Sequence, residues 1–327
     1  MKPIFLIFAL FFNSIVFLNA DEIPRIQIEN TEYIGSFDDE NNQYVFKGIP
    51  YAKPPIDELR WMPTVPYKTE KTALATQSFK EACMQDNGNT NWYRAVAISL
   101  GNPISMVHDK PSISEDCLYL NIWSQSLSTE KKQPVMVWIH GGGNVNGYSH
   151  EPNYIGSNLA KKGVVVVSIN FRLNALGYLP HPENTNSSGN YGLMDQLTAL
   201  EWIKNNIIKF GGDPNNITLF GESSGAEDIA YLIATPKAQG LFQRAISQSG
   251  GFADWVKRDE GLELGIEIQN KSGAESLASM KNISAADIVK MRSSSKLYFK
   301  GSVDGDIIPD DPFKLSNGQC IDHGILA

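Results

Sequence analysis

Five residues, Gly221-Glu222-Ser223-Ser224-Gly225, restrict what this 327-residue chain can fold into more than any other stretch. They follow a short apolar run, Ile217-Thr218-Leu219-Phe220, and precede a helical pattern that begins after Gly225. A G-x-S-x-G element between a strand and a helix forces a turn so tight that side chains at its two glycines would collide. Such a turn is expected to hold Ser223 in a strained conformation with its hydroxyl exposed above a sheet. The helix after it directs its positive end to the place where negative charge would develop. Three fixed positions in five also arise by chance in an ordinary Gly/Ser loop, so the strand–turn–helix context carries the weight.

The surrounding pattern supplies that context. Val135–Ile139 and Val164–Ile169 are apolar at consecutive positions, as strands covered on both faces should be. Leu193, Leu197, Leu200, Ile203 and Ile207 recur at three- and four-residue steps, which predicts a helix between Tyr191 and Phe210. Gly211-Gly212-Asp213-Pro214 is expected to stop it. Ala245–Ser249 reads as the next strand, closed by Gly250-Gly251, and Ser284 as the cap of a helix over Ala285–Met291. Strands alternating with helices predict a parallel sheet with crossover helices. A second motif, His140-Gly141-Gly142-Gly143, follows the Val135–Ile139 strand. Backbone without side chains brings N–H groups close to an oxyanion, so the two motifs together point to acyl transfer rather than to two unrelated glycine turns.

The N-terminus reads as an address. Lys2 precedes an apolar run from Ile4 to Leu18, broken only by Asn13 and Ser14, and Asn19-Ala20 offers a small residue before Asp21-Glu22. The run is short for a span of ~20 residues, which favours a cleaved export signal over residues 1–20 above a retained anchor. Its removal takes one lysine from a formal charge of −8, leaving about −9. With 42% hydrophobic and 20% charged residues and no basic stripe, the chain is globular and nucleic acid is an unexpected partner. No later segment is apolar enough to span a membrane, and no repeat or linker divides residues 21–327. Three cysteines fit export, to the outside or to a periplasm; sequons lie at Asn186, Asn216, Asn270 and Asn282 and count only where the host glycosylates.

Further stretches give the chain a family likeness. They include Phe46-Lys47-Gly48-Ile49-Pro50-Tyr51-Ala52, Ser114-Glu115-Asp116-Cys117-Leu118-Tyr119-Leu120-Asn121-Ile122-Trp123, and Asn190-Tyr191-Gly192-Leu193-Met194-Asp195-Gln196. With Phe210–Pro214, Gly221–Gly225 and Gly240-Leu241-Phe242, the chain resembles the type-B carboxylesterase and cholinesterase family from about Tyr44 to its end. The resemblance implies an α/β-hydrolase fold: a central, mostly parallel sheet with helices on both faces, here without its last strands and helices. It implies that Ser223 is an acyl nucleophile acting on small-molecule esters without metal or cofactor. By the same likeness the backbone N–H groups of Gly142, Gly143 and Ser224 form the oxyanion hole. Glu222 corresponds to the elbow glutamate, and Ser249 to a serine that supports the catalytic acid. Cys83 and Cys117 match the family's first disulfide, with two reduced thiols as the alternative, and Arg60 and Glu115 match a buried structural salt bridge.

The chain also departs from the family. A serine esterase needs a histidine to take the serine proton and an acid to orient it, in the order serine, acid, histidine. The resemblance puts both beyond Ala327, the acid just after a strand begun by Gly324-Ile325-Leu326-Ala327 and the histidine far further on. His323 precedes the acid's place and reads as solvated, His140 belongs to the oxyanion loop, and Cys320 has no evident mate. Glu227 and Asp228 stand where small or apolar residues are usual. Glu227 is read either as part of the acyl pocket or as a first-turn carboxylate favoured by the helix dipole. Asn144 replaces an aromatic and is expected to open or polarise that wall. Val107 replaces the choline-stacking tryptophan of cholinesterases, which favours a general esterase. The competing class, a secreted non-catalytic binding or adhesion protein, is disfavoured by the intact elbow and oxyanion glycines.

Overall fold

The β-branched run around Val166 becomes the strand Val165–Ile169, buried at every position because both of its faces are covered. The structure is a computed structural model that describes residues 23–68, 72–185, 187–250, 255–291, 299–312, 314 and 324–325. Its main sheet contains β1 (Ser36–Asp38), β2 (Gln43–Pro50), β3 (Tyr119–Ser124), β4 (Gln133–Ile139), β5 (Val165–Ile169), β6 (Gly212–Glu222), β7 (Arg244–Gln248) and β8 (Gly324–Ile325). They lie side by side in the order β8-β7-β6-β4-β5-β3-β2-β1. The pairs from β5 through β4, β6 and β7 to β8 are parallel, as the alternating pattern predicts. The margin formed by β3, β2 and β1 is antiparallel, so the sheet is mixed. Helices cover both faces.

Register decides where the two glycine motifs go. Gly221 at the end of β6 pairs with Ile139 at the end of β4, and Glu222 pairs with Gln248 at the end of β7. Three chain segments therefore leave the sheet side by side at the carboxyl ends of parallel strands, the usual place for a site in such a sheet.

The helices that matter are α1 (Gly88–Ser99), α2 (Tyr191–Asn206), α3 (Ser224–Ala234), α4 (Arg258–Ser272) and α5 (Ala285–Lys290). The predicted apolar stripe of α2 is buried, but so are Asp195, Gln196, Thr198 and Ala199. A 3-10 turn, Ile207–Phe210, follows α2, and Gly211 ends it at φ +80°, where an added Cβ would collide with the Ser126 carbonyl. The Ser284 hydroxyl accepts from the Asp287 N–H and caps α5 as predicted. Among the described residues, no helix is long and apolar enough to cross a membrane.

Three cross-links tie this frame together. Cys83 and Cys117 form a disulfide. It closes the loop that carries α1, and in the chain-entropy model a loop of this length contributes about 3–4 kcal/mol. Arg60 grips Glu115 through both Nε and Nη2 and donates from Nη1 to the Lys281 and Ile283 carbonyls. The third is deeper and was not expected from the sequence pattern. The Arg172 guanidinium, 4% exposed, donates twice to the fully buried Asp195 carboxylate, and also to Met62 O and Thr64 Oγ1.

Candidate active site

The turn between β6 and α3 carries Ser223 at φ +56° and ψ −126°, a conformation strained for any residue with a Cβ. Its N–H donates to Gln248 O at 2.9 Å, and its carbonyl accepts from the Ala226 and Glu227 N–H groups at 2.9 and 3.1 Å. The strain is thus held by β7 on one side and by the first turn of α3 on the other. Both flanking glycines are required by space. A Cβ on Gly225 would sit 2.2 Å from Ile139 O, and one on Gly221 2.8 Å from the same oxygen.

The second glycine motif lies against the first. A Cβ on Gly141 would fall 2.7 Å from Glu222 O and 3.2 Å from Ser223 Cβ. Gly142 and Gly143 take φ +111° and +66°, and a Cβ on Gly142 would meet Asn146 O at 2.2 Å. Among the described residues, none accepts a hydrogen bond from the N–H of Gly142, Gly143 or Ser224. His140 is buried and stacked on Phe171, and its Nδ1 lies 2.9 Å from Gly141 O. Burial lowers its pKa to about 4, so the ring is neutral at pH 7 and braces the loop.

Beside Ser223 opens a cleft of about 400 Å³, bounded by Gly141, Gly142, Glu222, Trp92, Tyr93 and Tyr154, with Glu151 among its walls. Trp92 and Tyr93 come from α1, inside the disulfide loop, and Trp92 is 59% exposed. Glu151 is buried, accepts from Tyr93 Oη at 2.7 Å and from Tyr148 N at 3.2 Å, and is shifted upward by burial. Sequence reasoning missed all three. A Trp-Tyr pair and an isolated Glu carry no motif, and only the folding of the disulfide loop brings Trp92 and Tyr93 to the cleft, where Tyr93 meets Glu151.

A carboxylesterase family model matches residues 26–323. The chain belongs to the carboxylesterase family. It is 41% identical over 239 residues to fumonisin B1 esterase of Sphingopyxis macrogoltabida, covering 70% of this chain and 42% of that one. It is 38% identical over 288 residues to para-nitrobenzyl esterase of Bacillus subtilis, covering 84% and 56%. The carboxylesterase of Geobacillus stearothermophilus superposes with a TM-score of 0.77 at 32% identity, over 89% of this chain and 59% of that one. A solved PNB esterase reaches 0.83 at 31% identity, over 93% and 62%. The fold is accordingly the α/β-hydrolase fold, and the chain spans about half the length of the curated carboxylesterases it matches.

In this cleft, one sequence-based expectation is overturned. Asn144 does not polarise the cleft wall. It is 1% exposed and turned inward, where its Nδ2 donates to Asp228 Oδ1 at 2.9 Å. Glu227 lies in the first turn of α3 and pairs with Lys300 at 3.4 Å. Ser249 is exposed at φ +56°, next to Gly250, whose added Cβ would approach Ser223 O at 2.5 Å. Of the sequons, Asn270 and Asn282 are exposed and Asn216 is half-buried, accepting from Arg244. Residues 1–22, Asn186, Cys320 and His323 lie outside the described residues.

Asp228 is fully buried and its carboxyl is pushed up to about 7, mainly by burial, with Glu227 adding to the rise and the donors from Asn144, Gln196 and Tyr178 opposing it. Beyond Tyr178 lies Asp195, paired with Arg172. A folded-state pKa above the unfolded value means that stability from this group is full below about pH 4 and declines as pH rises through 7. The neutral variant Asp228→Asn escapes that decline. Urea midpoints should therefore separate in its favour between pH 4 and 7 and stay separated above; parallel curves would contradict the assignment.

Proposed function

We propose that this chain supplies the nucleophile and oxyanion hole of a serine carboxylesterase that hydrolyses small-molecule carboxylic esters. The observation that supports the reading is that Gly141 packs against Ser223 and Gly142 shares one cleft with it, while the N–H groups of Gly142, Gly143 and Ser224 have no acceptor among the described residues. In the first step Ser223 Oγ bonds to the ester carbonyl carbon and gives up its proton to a base. The carbonyl electrons move onto oxygen, which the three N–H donors receive; each such donor contributes roughly 10²–10³ in rate. The tetrahedral species collapses, the alcohol leaves with a proton, and water releases the acid from acyl-Ser223. His140 is not that base in this scheme, because its ring is buried beneath the loop and stacked on Phe171. Glu222 and Ser249 support the elbow and the acid in this scheme, and no metal or cofactor enters it. We further assign residues 1–20 to an export signal and the protein to the outside of the cell or the periplasm.

Labelling with a fluorophosphonate tests this reading. The phosphorus bonds to the nucleophilic oxygen and fluoride leaves, and peptide sequencing then finds the modified residue. Stoichiometric label on Ser223 is the expected result. Label on another serine, or folded protein that takes none, would overturn it.

A further inference from the structure

Asp228 is the least expected residue near the site. It sits one turn after Ser223 on α3, wholly buried, with no cation paired to it among the described residues. Carboxylates are almost never buried this way without a partner, because removal from water penalises the charge. Its oxygens instead collect three neutral donors: Asn144 Nδ2 at 2.9 Å, Tyr178 Oη at 3.0 Å and Gln196 Nε2. Tyr178 and Gln196 come from other parts of the fold and fix the carboxylate. Asn144 belongs to the loop that directly continues Gly142 and Gly143.

That loop is otherwise held through its backbone: Gly142 O accepts from the Val145 and Asn146 N–H groups, and Gly141 O meets His140 Nδ1. Gly141, Gly142 and Gly143 have no side chains, and two of them are in left-handed conformations with many alternatives open to glycine. Asn144, itself at φ +55°, is where side-chain contacts resume. Its N–H donates to Ser224 Oγ at 3.1 Å, its carbonyl accepts from Asn174 N at 2.6 Å, and its amide reaches Asp228. Two of these three bonds end on α3, the helix that carries the third oxyanion donor.

On the reading of Ser223 and its oxyanion hole given above, we propose that Asp228 is a positioning residue, which through Asn144 locks the Gly142–Gly143 donors in register with the Ser224 donor. The oxyanion hole is assembled from two chain segments, and the Asn144–Ser224 and Asn144–Asp228 bonds are the clamp that sets their separation. An error of about 1 Å in such a site costs on the order of 100-fold in rate, so the clamp acts on kcat rather than on substrate binding.

A double-mutant cycle in the intact protein tests this, with p-nitrophenyl butyrate as substrate. Asp228→Ala and Asn144→Ala should each lower kcat by roughly 10- to 100-fold with KM little changed. The double variant should be no slower than the slower single one, because both remove the same clamp. Asp228→Asn keeps one carbonyl oxygen for Asn144 and should stay within a few-fold of the parent. Full kcat in Asn144→Ala, a drop confined to KM, or independent multiplication of the two losses would each overturn the proposal. Should Asp228→Ala fail to fold, Asn144→Ala and Asp228→Asn still decide it: the first must lose kcat and the second must keep it. Fluorophosphonate stoichiometry on the parent separates the two claims, since a labelled Ser223 with an indifferent Asn144 leaves the esterase reading standing and removes only the clamp.

Discussion

Ser223→Ala is expected to lower ester turnover by roughly 10⁴- to 10⁶-fold, the largest effect of any single change in this protein. The hydroxyl is the atom that bonds to substrate in the proposed scheme, and the adjacent Ser224 hydroxyl is buried and occupied by the Asn144 N–H. Ser249 is exposed and His140 is buried beneath the loop. The backbone hydrogen bonds of the turn, from Ser223 N to Gln248 O and from Ala226 N to Ser223 O, do not involve the side chain. The variant should therefore unfold at the same urea concentration as the parent and bind substrate about as well. Steady-state hydrolysis with a matched unfolding curve checks both points. Turnover within tenfold of the parent would remove Ser223 as nucleophile.

The largest effect on stability is expected at Asp195. Its carboxylate is fully buried and accepts from Arg172 N, Nε and Nη2 and from Thr64 Oγ1. Asp195→Ala leaves a guanidinium charge in the core with the Met62 carbonyl, the Thr64 hydroxyl and the face of the Tyr191 ring to receive it, none of them an anion. Breaking one side of a buried pair costs about 3–5 kcal/mol, a large share of the ~5–15 kcal/mol by which a domain is stable. The urea midpoint should fall by roughly 1–2 M. The paired replacement Arg172→Met with Asp195→Leu removes both charges and should recover most of the loss. If the single variant unfolds like the parent, the pair is not holding β5 and α2 together.

Most of the parallel half of the sheet was legible because its strands are unbroken apolar runs and its connecting helix repeats every three to four residues. Val135–Ile139, the 164–169 run and the 191–206 helix needed no tertiary information. The antiparallel margin was not legible in the same way, since burial along β1 and β2 follows no regular alternation. In the site, the glycine motifs announced themselves through residues that only a tight turn requires. The function of Asn144 and Asp228 was hidden because each is unremarkable alone and they lie 84 residues apart. Arg172 and Asp195 escaped for the same reason, being charges that a sequence alone would place on the surface.

The turn at Ser223 has an evolutionary consequence. A serine at φ +56° costs on the order of 1–3 kcal/mol that glycine, indifferent to the sign of φ, would not. Mutation to glycine there would relax the turn and give a more stable chain. A lineage freed from turning over substrate would have that substitution open to it as a gain, so this position would be among the first to drift. In a descendant that has kept the fold but lost the reaction, glycine at 223 is the change to look for.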